Sequence, residues 1–237
     1  MMVERDAVKA LAIYGDASLS NVKAFLLANG FTLPQEGKKA RAWCEARAVA
    51  GDVQACYVAA EMFRLGLFGP MDQERALQLC TVASDAGLAP ALLLLGSLSE
   101  GQDERNALAL MEKSAGKGYA PAMYAAALKY MVDGVDQSEK EAGLRYLKSA
   151  AAHSYAPAQT SLATHLLESG GDEEMREAIG LMKRAAELRS SHAYRMLAHF
   201  YQAGRYGCEL DPTKASNLRA EADRIEADAL IAWDLTA

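Results

Sequence analysis

Apolar and small residues recur along this chain at helical spacing, with almost nothing of the strict alternation that marks a strand. The pattern also repeats. Gly118-Tyr119-Ala120-Pro121-Ala122 opens one helix pattern that runs to Gly134, and a second begins at Ser138. The Tyr-Ala-Pro-Ala of 119–122 then returns at 155–158, 36 residues on. With Ala122 as anchor, equivalent alanines stand at Ala55, Ala91, Ala158 and Ala193, at successive spacings of 36, 31, 36 and 35 residues. Repetition on this scale predicts an array of stacked helix pairs, five full units with degenerate ends and eleven or twelve helices in all.

Each anchor opens a first helix that closes on glycine (Gly66, Gly101, Gly134, Gly170, Gly204), the residue that tolerates a left-handed helix end. Five residues past the anchor comes something very small (Ala60, Gly96, Ala127, Ala163, Ala198), which lets a neighbouring helix approach. The preceding residues (Ala59, Leu95, Ala126, Leu162, Leu197) and those three beyond (Phe63, Ser99, Tyr130, Leu166, Tyr201) complete the core stripe. Second helices start at Asp72, Asp103, Ser138, Glu174 and Asp211, each followed four residues later by Ala76, Ala107, Ala142, Ala178 or Ala215. Asp and Ser suit the free amides of a first turn, Glu suits its positive end, and Ser138 with Glu141 has capping-box spacing.

The ends depart from this register. Lys39 to Gly51 is a second helix one period upstream, with Glu36 at its cap; Leu19 to Gly30 fits the first-helix template with Ala24 at the small position. Residues 3–14 add one more helix over the open end. After Ala222 the pattern Leu218, Ala222, Ile225, Ala229, Trp233 runs on without a new anchor and predicts one long capping helix over 212–234. The expected organisation is a single solenoid domain, 1–237, with a degenerate N-terminal cap (1–36), core repeats (37–210) and the last repeat helix plus cap (211–237). Ile225, Leu230 and Trp233 are expected to pack on the last repeat, with homodimerisation through this helix as the alternative.

Composition narrows the function. A chain 51% hydrophobic, with six prolines and 7% aromatics, is a folded, helix-rich chain. The net charge of −6 disfavours non-specific nucleic-acid binding, which needs basic residues against phosphates. No run is long enough to span a bilayer and the start lacks a signal-peptide pattern, so the expectation is a cytoplasmic protein with no membrane insertion. The four cysteines form no Cys-x-x-Cys. Cys44 and Cys80 share one repeat position, filled elsewhere by Met111 and Tyr146, which describes a buried apolar site and predicts free thiols.

These residues resemble the Sel1-like repeat, a relative of the tetratricopeptide repeat. The matching stretches are Lys39-Ala40, Trp43 and Gly51; Ala91 with Leu95-Gly96; Leu197-Ala198, Tyr201 and Gly204; and Asp211 with Lys214-Ala215. The likeness covers about residues 18–223. The family's Gly-x-Gly-Val turn is reduced at 66–70, at Gly134-Val135 and at 204–207, and it is missing after Gly101. The cysteine pairs of disulfide-braced members are absent. The resemblance implies an all-α, right-handed α/α superhelical solenoid of tetratricopeptide type. It also implies a non-catalytic scaffold for protein contacts, often in bacterial signalling, envelope or secretion systems.

Candidate chemistry adds little. His165 and His199 stand at neighbouring positions of successive first helices but lack a third ligand at a recognised spacing, so no metal or other cofactor is expected. No Gly-x-Ser-x-Gly, phosphate-binding loop or His-Glu-x-x-His occurs, and no enzyme activity is expected. A helix-turn-helix over 4–29 would read DNA with a single base, Lys23; a degenerate repeat accounts for the same residues.

The expected function is therefore an interaction scaffold or adaptor that takes a partner peptide or helix in a concave groove. The alternative is a regulatory or immunity-type accessory protein of a bacterial secretion, envelope or signalling system. Helix geometry turns the positions two, six and nine past each anchor away from the core. They are Tyr57, Glu61 and Arg64; Leu93, Ser97 and Glu100; Tyr124, Leu128 and Met131; Thr160, Thr164 and Leu167; Arg195, His199 and Gln202. Leu93, Tyr124, Leu128 and Met131 make an expected apolar centre, rimmed by Glu61 and Arg64 at one end and Arg195 and His199 at the other, and with Tyr57 and Gln202 these are the expected partner-binding residues. The competing account is that Tyr57 and Tyr124 pack between adjacent first helices.

Overall fold

A computed structural model describes residues 17–232 except 34, 102 and 135. Among the described residues it contains twelve helices and no strand. They are α1 (Ala17–Ala28), α2 (Gly37–Val49), α3 (Val53–Leu65), α4 (Gln73–Asp85), α5 (Ala89–Ser99), α6 (Glu104–Ala115), α7 (Ala120–Asp133), α8 (Gln137–Ala152), α9 (Ala156–Ser169), α10 (Asp172–Glu187), α11 (Ser191–Ala203) and α12 (Pro212–Ala232). Helices α2 to α6 pack each on the next, as do α8 to α11. The chain falls into two compact units, one of Met1–Ala122 with Ile231–Ala237 and one of Met123–Leu230. The expected helix over 3–14 lies outside the described residues, as does Trp233. Ile225 is buried.

The anchors Ala55, Ala91, Ala122, Ala158 and Ala193 are wholly buried, as are the small residues Ala60, Ala127, Ala163 and Ala198. A methyl group at Gly96 would stand 3.0 Å from the Ala107 carbonyl oxygen, so the bare backbone there does set how closely α6 approaches. Asp72, Asp103 and Asp211 cap their helices by accepting from the amides of Arg75, Asn106 and Lys214. Asp52 and Ser190 do the same for the first helices α3 and α11.

Two expected caps are displaced. Helix α8 begins at Gln137, one residue before Ser138, and Asp136 caps it by accepting from the Glu139 amide at 2.9 Å. Ser138 and Glu141 form no capping box; Glu141 accepts from Gln137 instead. An aspartate two residues earlier is an equally good capping residue and adds two residues to the helix, which extends to it. Helix α10 likewise starts after Gly171, leaving Glu174 inside a first turn already rich in acid.

The longer α8 explains a one-residue error of register. The small second-helix residue is Gly143, buried, whereas Ala142 is half-buried; Ala76, Ala107, Ala178 and Ala215 are buried as expected. The position shared by Cys44, Cys80 and Met111 then falls on Leu147, fully buried, and not on Tyr146, which stacks on Tyr130 with centroids 6.0 Å apart. All four cysteines are free and buried. Burial pushes the Cys44 and Cys80 thiols up to about 12, so neither is a reactive thiolate near neutral pH.

The turn from second to first helix repeats in backbone form. Gly51, Gly87, Gly118, Ser154 and Arg189 all have positive φ, from 57° to 87°, at the same spacings as the anchors. Ser154 and Arg189 hold the left-handed conformation against their own Cβ atoms. Since Arg189 also binds Asp228 at 2.8 Å, the clean substitution is at the exposed Ser154. Ser154→Gly is expected to stabilise the second unit by about 0.5–1 kcal/mol, seen as a higher urea midpoint.

Helix α1 does not sit in the first-helix register. That register would place Lys23, Ala24 and Leu27 in the core, but Ala24 and Leu27 are exposed while Val22 and Leu26 are fully buried. The physical reason is Lys23. A lysine in the core stripe would be a buried charge, so the helix turns its other side inward.

Candidate functional site

Position two past the anchor opens each first-helix face, and the structure treats its occupants differently. In the first unit Tyr57 is only 3% exposed and Glu61, one turn later, 1%. Neither lies on an open surface, contrary to expectation. Helix α1 packs on α3, and the Asn21 amide donates to the Tyr57 hydroxyl at 3.4 Å. Glu61 accepts from the Arg64 guanidinium at 2.7 Å, so the pair predicted for a polar rim is an ion pair with a buried carboxylate. On α5, Leu93 is half-buried while Ser97 and Glu100 are exposed.

The second unit keeps more of this face open. Tyr124 is half-buried: its hydroxyl lies 3.0 Å from the Ser161 hydroxyl, and its ring meets Tyr155 edge-on at 5.6 Å. It therefore packs between successive first helices α7 and α9, as the competing account held. Leu128 is 41% exposed. Met131 is half-buried and turned toward α8, where its Cγ would lie 2.9 Å from a methyl group at Gly143. Thr160 is buried, against expectation, with its hydroxyl on the Pro157 carbonyl; Thr164 is exposed and Leu167 half-buried.

Val132 is part of this surface and was not among the expected site residues. It is 79% exposed, one turn past Leu128 on α7, so the two form an uncovered apolar ridge. Its signal in the sequence is an apolar pair four apart, outside the core stripe, with Val132 ten past the anchor Ala122. Lys129 and Asp133 form an ion pair of 3.5 Å beside the ridge.

Arg195 is exposed and ion-paired. Its guanidinium donates to Asp223 at 2.8 Å and to Glu226 at 2.9 Å, both on α12, and these carboxylates raise its pKa. The hydrogen bond from Arg195 in turn holds Glu226 below the ordinary carboxylate range. His199 is exposed beside Phe200, and Gln202 is exposed. Among the described residues no three His, Cys, Asp or Glu side chains are grouped to hold a metal, and no helix is long and apolar enough to cross a membrane.

No protein-family model and no curated protein matches the sequence. Solved structures do share the fold. A Sel1 repeat protein from Oxalobacter formigenes aligns at TM-score 0.72 and 20% identity, over 92% of this chain and 86% of that one. An immunity protein from Pseudomonas aeruginosa aligns at TM-score 0.67 and 19% identity, over 90% and 84%. A protective antigen of uropathogenic Escherichia coli with the same repeat fold aligns at 0.69 and 21%; the chain spans only 46% of that protein's length. The fold is thus that of the Sel1-like repeat proteins, an all-α series of helix pairs.

Proposed function

We propose that the chain is a non-catalytic interaction scaffold or adaptor whose second unit takes an amphipathic helix of a protein partner along α7 and α9. One contrast carries this reading. In the first unit the residues two and six past the anchor, Tyr57 and Glu61, are both buried, Tyr57 against helix α1; in the second Tyr124 is half-buried and Leu128 is 41% exposed. Helix α1 is thus an example, within this chain, of the occupant that such a face accepts. Leu128 and Val132 would be the apolar centre of the contact, with Lys129, Asp133 and Thr164 at its edge.

The partner would first be identified by affinity purification from the native organism, and its binding then measured with purified protein. Leu128→Glu with Val132→Glu alters only exposed side chains, so helix content and melting are expected to stay unchanged. Affinity is expected to fall about 30-fold or more, as for loss of a hot-spot pair. Unchanged affinity in the folded double variant would place the contact elsewhere and overturn the reading.

The immunity-type reading is favoured by one observation, the shared fold and near-equal length with the Pseudomonas aeruginosa immunity protein. Under it the partner is a toxin. Co-expression with products of adjacent genes would then restore growth that those products suppress alone, and failure to restore it removes this reading.

A further inference from the structure

The first unit holds a contact that the repeat register does not produce. Within the second unit the residue two past one anchor meets the residue three before the next, where Tyr124 meets Tyr155. Asn21 on α1 makes a contact of a different kind. Its side-chain amide donates to the Tyr57 hydroxyl of α3 at 3.4 Å and to the Tyr119 hydroxyl, ahead of α7, at 3.0 Å. The second link joins residues 98 apart in sequence, passing over α3 and α5, the two first helices between. Helix α1 therefore reaches from α3 to the entry of α7 and is not stacked as one more repeat. Its exposed Ala24 and Leu27 point the same way, because the repeat register would bury both.

The way α1 is held suits a helix that leaves. Helix α3 buries ten of its thirteen residues. Among the described side chains of α1, only Val22 and Leu26 are buried. Twelve residues make a helix that is marginal in isolation, so its order depends on this seat. Polar fastening at Asn21 gives direction and register more than adhesion, since a hydroxyl released from it is rehydrated at little net cost. At its other end α1 stays tethered, with Phe25 and Phe31 lying 6.0 and 5.4 Å from the Trp43 ring of α2.

We infer that α1 is a tethered, self-bound ligand of the first unit: a helix latched by Asn21 across its first-helix face, which lifts to expose that face. The inference shares with the proposed function the idea that these faces accept helices. It concerns a different unit, and its test needs no partner. Lifting breaks the Asn21 contacts to Tyr57 and Tyr119 and opens the apolar seat of Val22 and Leu26, while Trp43 keeps the released segment nearby. An incoming helix would compete with an intramolecular one, so α1 sets the threshold for occupation of this face.

The test uses the full chain and a fluorescein-labelled peptide of residues 17–31 as probe. Hydrogen exchange read by mass spectrometry is expected to show α1 opening as a unit at least about 100-fold more readily than α3. Asn21→Ala, and separately Tyr119→Phe, should raise that opening about fivefold while leaving exchange in α3 unchanged. The labelled peptide should bind the Asn21→Ala chain saturably and more tightly than it binds the natural one, where the latched helix competes. Exchange of α1 and α3 in a single event would make α1 an integral part of the core and overturn the inference. Absence of saturable peptide binding to the Asn21→Ala chain would overturn it equally. Neither result bears on Leu128 and Val132, so the two readings fail separately.

Discussion

Replacing Arg41 with methionine is expected to destabilise the first unit by about 3 kcal/mol, although the change removes a charge and keeps an unbranched side chain of similar reach. Arg41 is 6% exposed on α2. Its Nη1 and Nη2 donate to the carbonyl oxygens of Leu67 at 3.0 Å and Pro70 at 2.8 Å, in the turn between α3 and α4. The guanidinium lies 4.2 Å over the Phe63 ring, and Nε stands 3.5 Å from Glu45. Burial lowers its pKa, a shift the neighbouring Glu45 opposes, and it stays charged at neutral pH. The turn it holds carries Phe68 at a φ of 60°, with the ring against Gly37, where any side chain would collide with it. Methionine would leave the buried Leu67 carbonyl without its donor and the turn without its clasp. Lysine offers one nitrogen where two carbonyls diverge, so Arg41→Lys should lose about 2 kcal/mol. Urea unfolding followed by circular dichroism checks both; a methionine variant within about 0.5 kcal/mol of the natural chain would mean that the turn stands by itself.

Gly143→Val is expected to be comparably damaging to the second unit, at about 3 kcal/mol. A Cβ there would lie 2.9 Å from Met131 Cγ, 3.0 Å from Tyr130 Cβ and 3.1 Å from the Ala127 carbonyl oxygen. The methionine can swing away, but the helix backbone of α7 cannot. Valine adds two methyl groups to that collision and a β-branch inside a helix. Alanine is the informative intermediate: it gains about 1 kcal/mol in helix propensity and loses a similar amount to crowding, so its net effect should be small. Gly180→Ala on α10, with nothing within 4 Å of the new methyl, should show the propensity gain alone, about 1 kcal/mol. Equal stabilisation at 143 and 180 would show that α7 and α8 have room to spare.

The sequence by itself determined the period, the helix pairs and most of the core. Burial at the anchor of a helix pair admits only alanine, and a left-handed turn favours glycine, so both write themselves into the residue order. The spacings of Ala55, Ala91, Ala122, Ala158 and Ala193 reappear in the backbone at Gly51, Gly87, Gly118, Ser154 and Arg189. The last two of these are invisible to a reading that looks for glycine. The earlier start of α8 was legible in Asp136, but choosing between Asp136 and Ser138 required knowing where Gly143 had to sit against α7.

Tertiary structure alone decided which faces are open. Helical geometry places Tyr57, Glu61, Tyr124 and Leu128 at equivalent angles, and nothing local distinguishes them. Tyr57 is buried against α1, whose Asn21 also reaches Tyr119, 98 residues away in sequence. Arg195 looks like a free rim charge in sequence because Asp223 and Glu226 lie 28 and 31 residues away, on another helix. Arg41 looks like a solvated charge for the same reason: its acceptors are backbone carbonyls, which carry no residue identity. Periodicity records the contacts that every unit repeats; contacts made once, between distant parts of the chain, leave no period to read.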